Sequence, residues 1–419
     1  MDTQNAIDVF IKETGSQVAA ELEACTRCGM CAEACHFYQA TGVPEYAPVW
    51  KFELLRKAHE QRFTLGGKIK LALGIDKPVN EEDLKEWSSY VYHACTVCNR
   101  CALVCPMGID IGHLIAGVRT GLSAAGFVPK DLEDSVQKQI DEGSPLGVTD
   151  EVYGQRIDFV DDEWEVDIPV DKEGADTLVI FSSIEIMKFP QDLAAITKIL
   201  NAAGENWTVS TKAREVVNFG FFDGNPEHKK LILKRVLDGA KEMGVKKIVV
   251  TECGHAYDAL RWSSYNLVDV PKDLEITHIV GLIGEYLESG RIKLKEKAFN
   301  EGTITFHDAC KIQRTGGHIK EPRMVMDILA PDSFKEMTPN KEQNFCCGGG
   351  GGVIVIKDAD PLRYAAFELK MDQIKEVGAD TVVMACANCR LQFVDCVGHF
   401  NLDLKVAGLS QMVADALEV

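Results

Sequence analysis

No apolar run in this sequence approaches the roughly 18 residues that a membrane-crossing helix needs. The opening MDTQNAIDVF has neither the basic stretch nor the apolar stretch of a signal peptide. Positive charge is scarce: 45 Lys and Arg stand against 64 Asp and Glu, a net charge of -19. That balance argues against nucleic acid or anionic lipid as the main partner. These absences predict a cytoplasmic chain, soluble by itself, with docking on a membrane subunit left open. Hydrophobic residues make up 46% and charged residues 26%, so the chain is not disordered, and 419 residues suffice for two or three domains with proper cores.

What the sequence has in excess is cysteine. There are 15, an odd number, and they are clustered. Cytoplasmic thiols are kept reduced, so the clusters point to metal binding or redox chemistry rather than to a disulfide framework. The stretch CTRCGMCAEAC carries Cys25, Cys28, Cys31 and Cys35; seventy residues on, CTVCNRCALVC repeats the spacing at Cys95, Cys98, Cys101 and Cys105. Zinc prefers four ligands, usually as two separated pairs. Three cysteines at three-residue intervals with a fourth four residues later is the run of two-cluster ferredoxins, in which the fourth cysteine ligates the other cluster. A short loop wraps three corners of a cubane, and the last corner comes from elsewhere. The spacing therefore predicts two [4Fe–4S] clusters, one held by Cys25, Cys28, Cys31 and Cys105, the other by Cys95, Cys98, Cys101 and Cys35. Pro106 follows Cys105 as in the bacterial pattern, whereas His36 follows Cys35, a departure that removes no ligand. The insert between the copies contains VWKFELLRKAHEQ and NEEDLKEWSSYVYHA, both with helical periodicity. Residues 1–135 thus resemble the α-helical ferredoxin module of respiratory iron–sulfur subunits. Residues 136–172 are acidic and mixed, and read as a linker.

From Thr177 the texture changes. The runs TLVIF, KIVVT, TITF and TVVMA read as strands, and helical stretches lie between them, which argues for α/β units around a mainly parallel sheet. The last two runs lead into cysteines: Cys310 after TITF, then Cys346 and Cys347 in NFCCGGGGG, then Cys386 and Cys389 after TVVMA. A shift of 128 residues lays Cys310 on Ser182 and CCG on NFG, and a shift of 133 lays Cys386 on Cys253. This internal repeat divides the region into a degenerate half, 173–299, and an intact half, 300–419. Five thiols exceed what zinc needs, although a zinc site built from four of them is the competing reading. The five glycines from Gly348 to Gly352 relax the backbone and leave room for a bulky partner to approach.

The C-terminal pattern resembles the cysteine-rich CCG domain of heterodisulfide reductase and its relatives. A helical ferredoxin module followed by two CCG halves, one without its cysteines, is similar to the HdrD-type chains of heterodisulfide reductases and to DsrK-type chains of quinone-linked membrane complexes. The resemblance implies an α-helical domain plus a duplicated α/β CCG domain. It implies a noncubane [4Fe–4S] cluster held by Cys310, Cys346, Cys347, Cys386 and Cys389, with His307 as a candidate proton donor. It also implies an oxidoreductase that passes electrons through two cubanes to a cluster reducing a disulfide or trisulfide. The implied partners are a membrane b-type cytochrome or other quinone-linked subunit, and a small DsrC-like sulfur carrier or a low-molecular-weight disulfide; nucleic acid is not among them. The alternative is a non-catalytic electron relay in a multihaem-cytochrome complex or a flavin-dependent 2-hydroxyacid oxidase. Cys396, seven residues after Cys389, reads as a buried small apolar residue, and whether the lone Cys253 faces the cluster as a thiol is left open.

Overall fold

Apolar residues recur at helical spacing through the first third of the chain. The computed structural model, which describes residues 3–13 and 15–418, folds that third as helices. The helix Ile111–Ala124 buries Ile111, Leu114, Ile115, Val118 and Leu122. Gly121 of that helix leaves space for Phe10 of the helix Thr3–Glu13; a Cβ there would lie 1.9 Å from the Phe10 ring. The helix Glu53–Phe63 contributes Leu54, Leu55 and Ala58 to the same core. Two later segments, 219–229 and 348–369, belong to this first compact unit along with the chain up to Val136. The second unit holds 137–218, 230–347 and the chain from Lys370 onwards. The stretch read as a linker is helical over Lys130–Glu142 and Asp150–Trp164, and the latter helix buries Tyr153, Ile157 and Val160.

In the second unit, β1 (Thr177–Ile180), β2 (Trp207–Thr208), β3 (Lys247–Val250) and β4 (Glu275–His278) form a parallel sheet in the order β2-β1-β3-β4. A second parallel sheet contains β5 (Ile304–Phe306), β6 (Thr381–Met384) and β7 (Lys405–Gly408), in the order β5-β6-β7. A lone parallel bridge from Ile304 to Phe334 stands beside β5 as Trp207 of β2 stands beside Thr177 of β1. β1, β5 and most of β3 and β6 are buried, which is why each reads as a continuous apolar run rather than an alternating one.

Candidate iron–sulfur sites

The two cysteine runs share a backbone device. Arg27 and Gly29 in the first run have φ of 57° and 81°, and Val97 and Asn99 in the second have 52° and 61°. Left-handed residues thus stand at the same two places in each run, turning the chain inward between cysteines. A β-branched residue such as Val97 rarely accepts that conformation unless its surroundings impose it. One cavity is lined by Cys25, Cys28, Cys31 and Cys105, and a second by Cys35, Cys95, Cys98 and Cys101. Each cavity thus takes three cysteines from one run and the last cysteine of the other. Buried Arg100 of the second run donates to the carbonyl of Ala34 at 2.9 Å, which ties the residue before Cys35 to the second loop. Burial pushes the Cys31 thiol up to about 11, with Cys25 and Cys28 adding to the shift. Four crowded sulfurs in an apolar cavity suit a cation-rich cluster and disfavour a free thiolate set.

Charged residues that sequence reasoning missed stand around the second cavity. Lys51 is 1% exposed, and its Nζ donates to the carbonyl of Ala94 and lies 3.5 Å from Cys35 Sγ. Burial alone would lower its pKa, but the thiolates of Cys35, Cys95 and Cys101 outweigh burial and raise it. Arg119, fully buried, donates to four carbonyls: Val91 and Cys95 at 2.7 Å, Gly351 at 2.8 Å and Phe222 at 2.9 Å. All five glycines from Gly348 to Gly352 are buried. Gly351 has φ of +62°, and a Cβ on it would stand 2.7 Å from the carbonyl of Thr96, next to Cys95. The expectation that this run opens a path for a bulky partner is therefore corrected. At Gly351 the missing side chain makes room for the chain's own backbone.

The parallel strands of the second sheet deliver their loops to one edge, where α/β folds place their chemistry. β5 leads into His307, Asp308 and Cys310, and β6 leads into Cys386 and, one helical turn on, Cys389. Ligand atoms of His307, Cys347 and Cys389 lie within 4.8 Å of one another, all buried. Hydrogen bonds from Cys346 and Cys389 hold the Cys347 thiol well below its ordinary range, against burial and with help from His307. Cys386 is lowered in the same way by Cys389. Cys310 is buried at the start of the turn that leaves β5, three residues beyond His307. Burial lowers the pKa of His307, so its imidazole is neutral, and its buried Nε2 has no hydrogen-bond partner among the described protein atoms. A neutral ring nitrogen without a partner beside two sulfurs is a donor set for iron or zinc, not for a hard cation. Arg323 grips the carboxylate of Asp308, with Nη2 2.8 Å from Oδ2.

A further residue escaped the sequence reading. Lys370 is fully buried, donates to Asn344 Oδ1 at 2.6 Å, and is pushed down to about 7 by burial, against the pull of Asp308 and the thiolates. The Asn344 amide nitrogen lies 3.3 Å from His307 Nδ1. Lys311 and Arg314 are engaged internally, Lys311 with Asp258 at 3.1 Å and Arg314 with the carbonyl of Glu342 at 2.6 Å. Cys396 is fully buried in the helix Ala387–His399 and accepts from Gln392 at 3.1 Å.

Beyond the ends of β1 and β3 in the first sheet, buried carboxyls cluster. Buried Glu185 accepts from the hydroxyls of Ser182 and Thr251, each at 2.7 Å. Burial pushes Glu215 up to about 7 and Glu252 up to about 8. Burial raises the thiol of Cys253, 4% exposed, and the charge of Cys386 adds to the shift. The carbonyl of Glu252 accepts from the Ala387 N–H at 2.7 Å, which joins the two edges directly.

Comparison with known proteins agrees with this arrangement. Residues 21–109 match the family described as 4Fe-4S dicluster domain, and residues 304–394 match the Cysteine-rich domain, CCG. The Hdr-like menaquinol oxidoreductase iron-sulfur subunit 2 of Archaeoglobus fulgidus is 28% identical over 445 residues, covering 94% of this chain and 80% of that one. The HdrD-type chain of the dihydromethanophenazine:CoB--CoM heterodisulfide reductase of Methanosarcina barkeri is 27% identical over 404 residues, covering 95% of this chain and 94% of its own length. The EtfAB:quinone oxidoreductase of Syntrophomonas wolfei is 24% identical over 447 residues, covering 97% of this chain and 60% of its own length. The chain is a CCG-domain iron–sulfur oxidoreductase, similar over most of its length to such electron-transfer proteins.

Proposed function

We propose that the chain carries electrons through two [4Fe–4S] cubanes to a noncubane [4Fe–4S] cluster, where an S–S bond is cleaved, a disulfide giving two thiols and a trisulfide giving a thiol and a persulfide. The observation that carries this reading is the buried convergence of His307, Cys347 and Cys389 at the edge of the second sheet. The cubane ligands are Cys25, Cys28, Cys31 and Cys105 for one cluster, and Cys95, Cys98, Cys101 and Cys35 for the other. The C-terminal cluster takes Cys310, Cys346, Cys347, Cys386 and Cys389. Once bound, the clusters supply one-electron steps, and cleavage of an S–S bond consumes two electrons and two protons. Lys370, linked through Asn344 towards His307, keeps an amine beside the site from which a proton can be taken.

The two sheets are read as copies of one unit. β1 and its partner at Trp207 map onto β5 and its bridge partner at Phe334 with one shift of 127 residues. The first copy has Ser182, Asn218, Phe219 and Ala256 where the second has Cys310, Cys346, Cys347 and Cys389, keeps only Cys253, and is read as holding no cluster. Electrons come from a quinone-linked membrane protein such as a b-type cytochrome, and the acceptor is a small sulfur-carrier protein or a low-molecular-weight disulfide. The burial of the glycine run favours a second reading, a relay that hands electrons on without admitting a substrate.

Iron analysis with Mössbauer spectroscopy and a turnover assay decide the matter. Three four-iron clusters require about 12 iron atoms per chain. About 8 iron atoms with one zinc would overturn the third cluster, and about 16 would mean that the first half is not vacant. Reduction of disulfide or trisulfide substrates by the reduced protein supports catalysis. A loaded protein that reduces none of them, with its membrane partner present, is a relay.

A further inference from the structure

The three most exposed large apolar side chains among the described residues lie within eleven residues of each other: Leu65 at 76%, Ile75 at 71% and Leu73 at 69%. Phe63 at 54% and Ile69 at 49% complete the group. This is a built element and not a frayed loop. Thr64 caps the helix Leu65–Ala72 by accepting from the Gly67 N–H at 2.9 Å. Gly67 is buried, and a Cβ on it would stand 2.1 Å from the carbonyl of Glu60, so the helix folds back tightly on Glu53–Phe63. Gln61 fixes the far end by donating to Asp76 at 3.0 Å and to the carbonyl of Lys77 at 2.8 Å. With Gly67 turned towards the preceding helix, Leu65, Ile69 and Leu73 recur at four-residue spacing on an outward row.

The charge around this row is opposite to that of the molecule. Arg62, Lys68, Lys70 and Lys77 are exposed, and Asp76 is the single acid between Arg62 and Lys77, in a chain of net charge -19. An apolar row flanked by cations is the composition of elements that lie in the headgroup region of a bilayer, where apolar burial and attraction to anionic lipid act together. Repulsion from distant acidic residues is screened beyond about 10 Å at ordinary salt. Overall charge is therefore a poor guide to what this one surface prefers. A core-seeking helix would not surround its apolar row with lysines, and a water-facing one would not present Leu65, Leu73 and Ile75.

We propose that the hairpin around Leu65–Ala72 inserts its apolar row into the surface of an anionic lipid bilayer, as a contact of this chain's own, additional to any partner subunit. The proposal does not depend on the redox reading. The test uses the full, anaerobically purified chain and sedimentation with two kinds of vesicle, pure phosphatidylcholine and phosphatidylcholine with about one third phosphatidylglycerol. Binding to the anionic vesicles is expected, weakened by salt and weaker on the neutral vesicles. The double variant Leu65→Glu, Leu73→Glu is expected to lose at least about tenfold in vesicle affinity, because two charges now face the acyl boundary. Both sites are exposed, so its iron content and cluster spectra should equal those of the unaltered chain. A second variant, Lys68→Gln with Lys70→Gln, should lose the preference for anionic vesicles while keeping weak binding to neutral ones. No vesicle binding by the unaltered chain, or equal binding by the Leu65, Leu73 variant, overturns the proposal. Absent vesicle binding, together with loss of a co-purifying membrane protein in that variant, reassigns the surface to a protein partner.

Discussion

Replacing Lys51 by Met should lower the reduction potential of one cubane and leave the other unmoved. Lys51 Nζ is 3.5 Å from Cys35 Sγ, is buried, and is held in its charged form by the surrounding thiolates. At an effective dielectric of about 20, two unit charges about 4 Å apart interact by about 4 kcal/mol. An added electron spreads over a whole cluster, so the mean separation is larger; at about 7 Å the same expression gives ~2 kcal/mol, or ~100 mV for one electron. The hydrogen bond lost from the sulfur shifts the potential in the same direction. Methionine fills a similar volume, so the remaining cost is an unpaired carbonyl at Ala94, about 1 kcal/mol of stability. The assay is a redox titration followed by electron paramagnetic resonance, with iron content measured alongside. Lys51→Arg keeps the charge and should recover most of the shift. The reasoning fails if the cluster of Cys25, Cys28 and Cys31 moves instead, or if neither potential falls.

Two other substitutions probe the same unit. Cys35→Ala should damage the cluster that also uses Cys95, Cys98 and Cys101 and spare the one in its own run, read from the spectra of each; loss confined to the Cys25 run would overturn the cross-ligation. Gly351→Ala should destabilise the chain by about 2 to 4 kcal/mol, combining a positive φ with overpacking against Thr96, whereas Gly126→Ala should cost only about 1 kcal/mol, since it has positive φ but open space. Denaturant midpoints measure the difference, and equal costs would show that the approach to Thr96 is not tight.

The thiols were legible because metal chemistry fixes their spacing, and eight of them line two cavities, four to each. Four strands were legible because both faces of each are buried and each reads as an unbroken apolar run. β2, β4 and β7 were not. WT is two residues long, and EITH and KVAG begin with exposed charged residues, so pairing with a neighbouring strand makes them strands. Lys51, Arg119 and Lys370 look in sequence like any charged residue of a helical stretch, and their burial is a tertiary fact. The glycine run was misread for a related reason. A missing side chain shows that something comes close, but not whether that is a ligand or the chain itself. The row of Leu65, Ile69 and Leu73 passes in sequence for the core stripe of an ordinary helix; only the packing of Gly67 turns it outward.

The four carbonyls around Arg119 bear on how such a molecule can be taken apart. Two belong to the cysteine-bearing helical region, at Val91 and Cys95; the others, Phe222 and Gly351, arrive on stretches encoded more than a hundred and more than two hundred residues later. A piece ending at Val136 would keep all eight cubane cysteines and still leave a buried guanidinium short of two of its four acceptors. Leaving buried charge under-bonded is among the costlier defects a small fold can carry. Such a fragment is therefore expected to be less stable than the same residues in the full chain, and adding back the stretches that carry Phe222 and Gly351 is what would complete it.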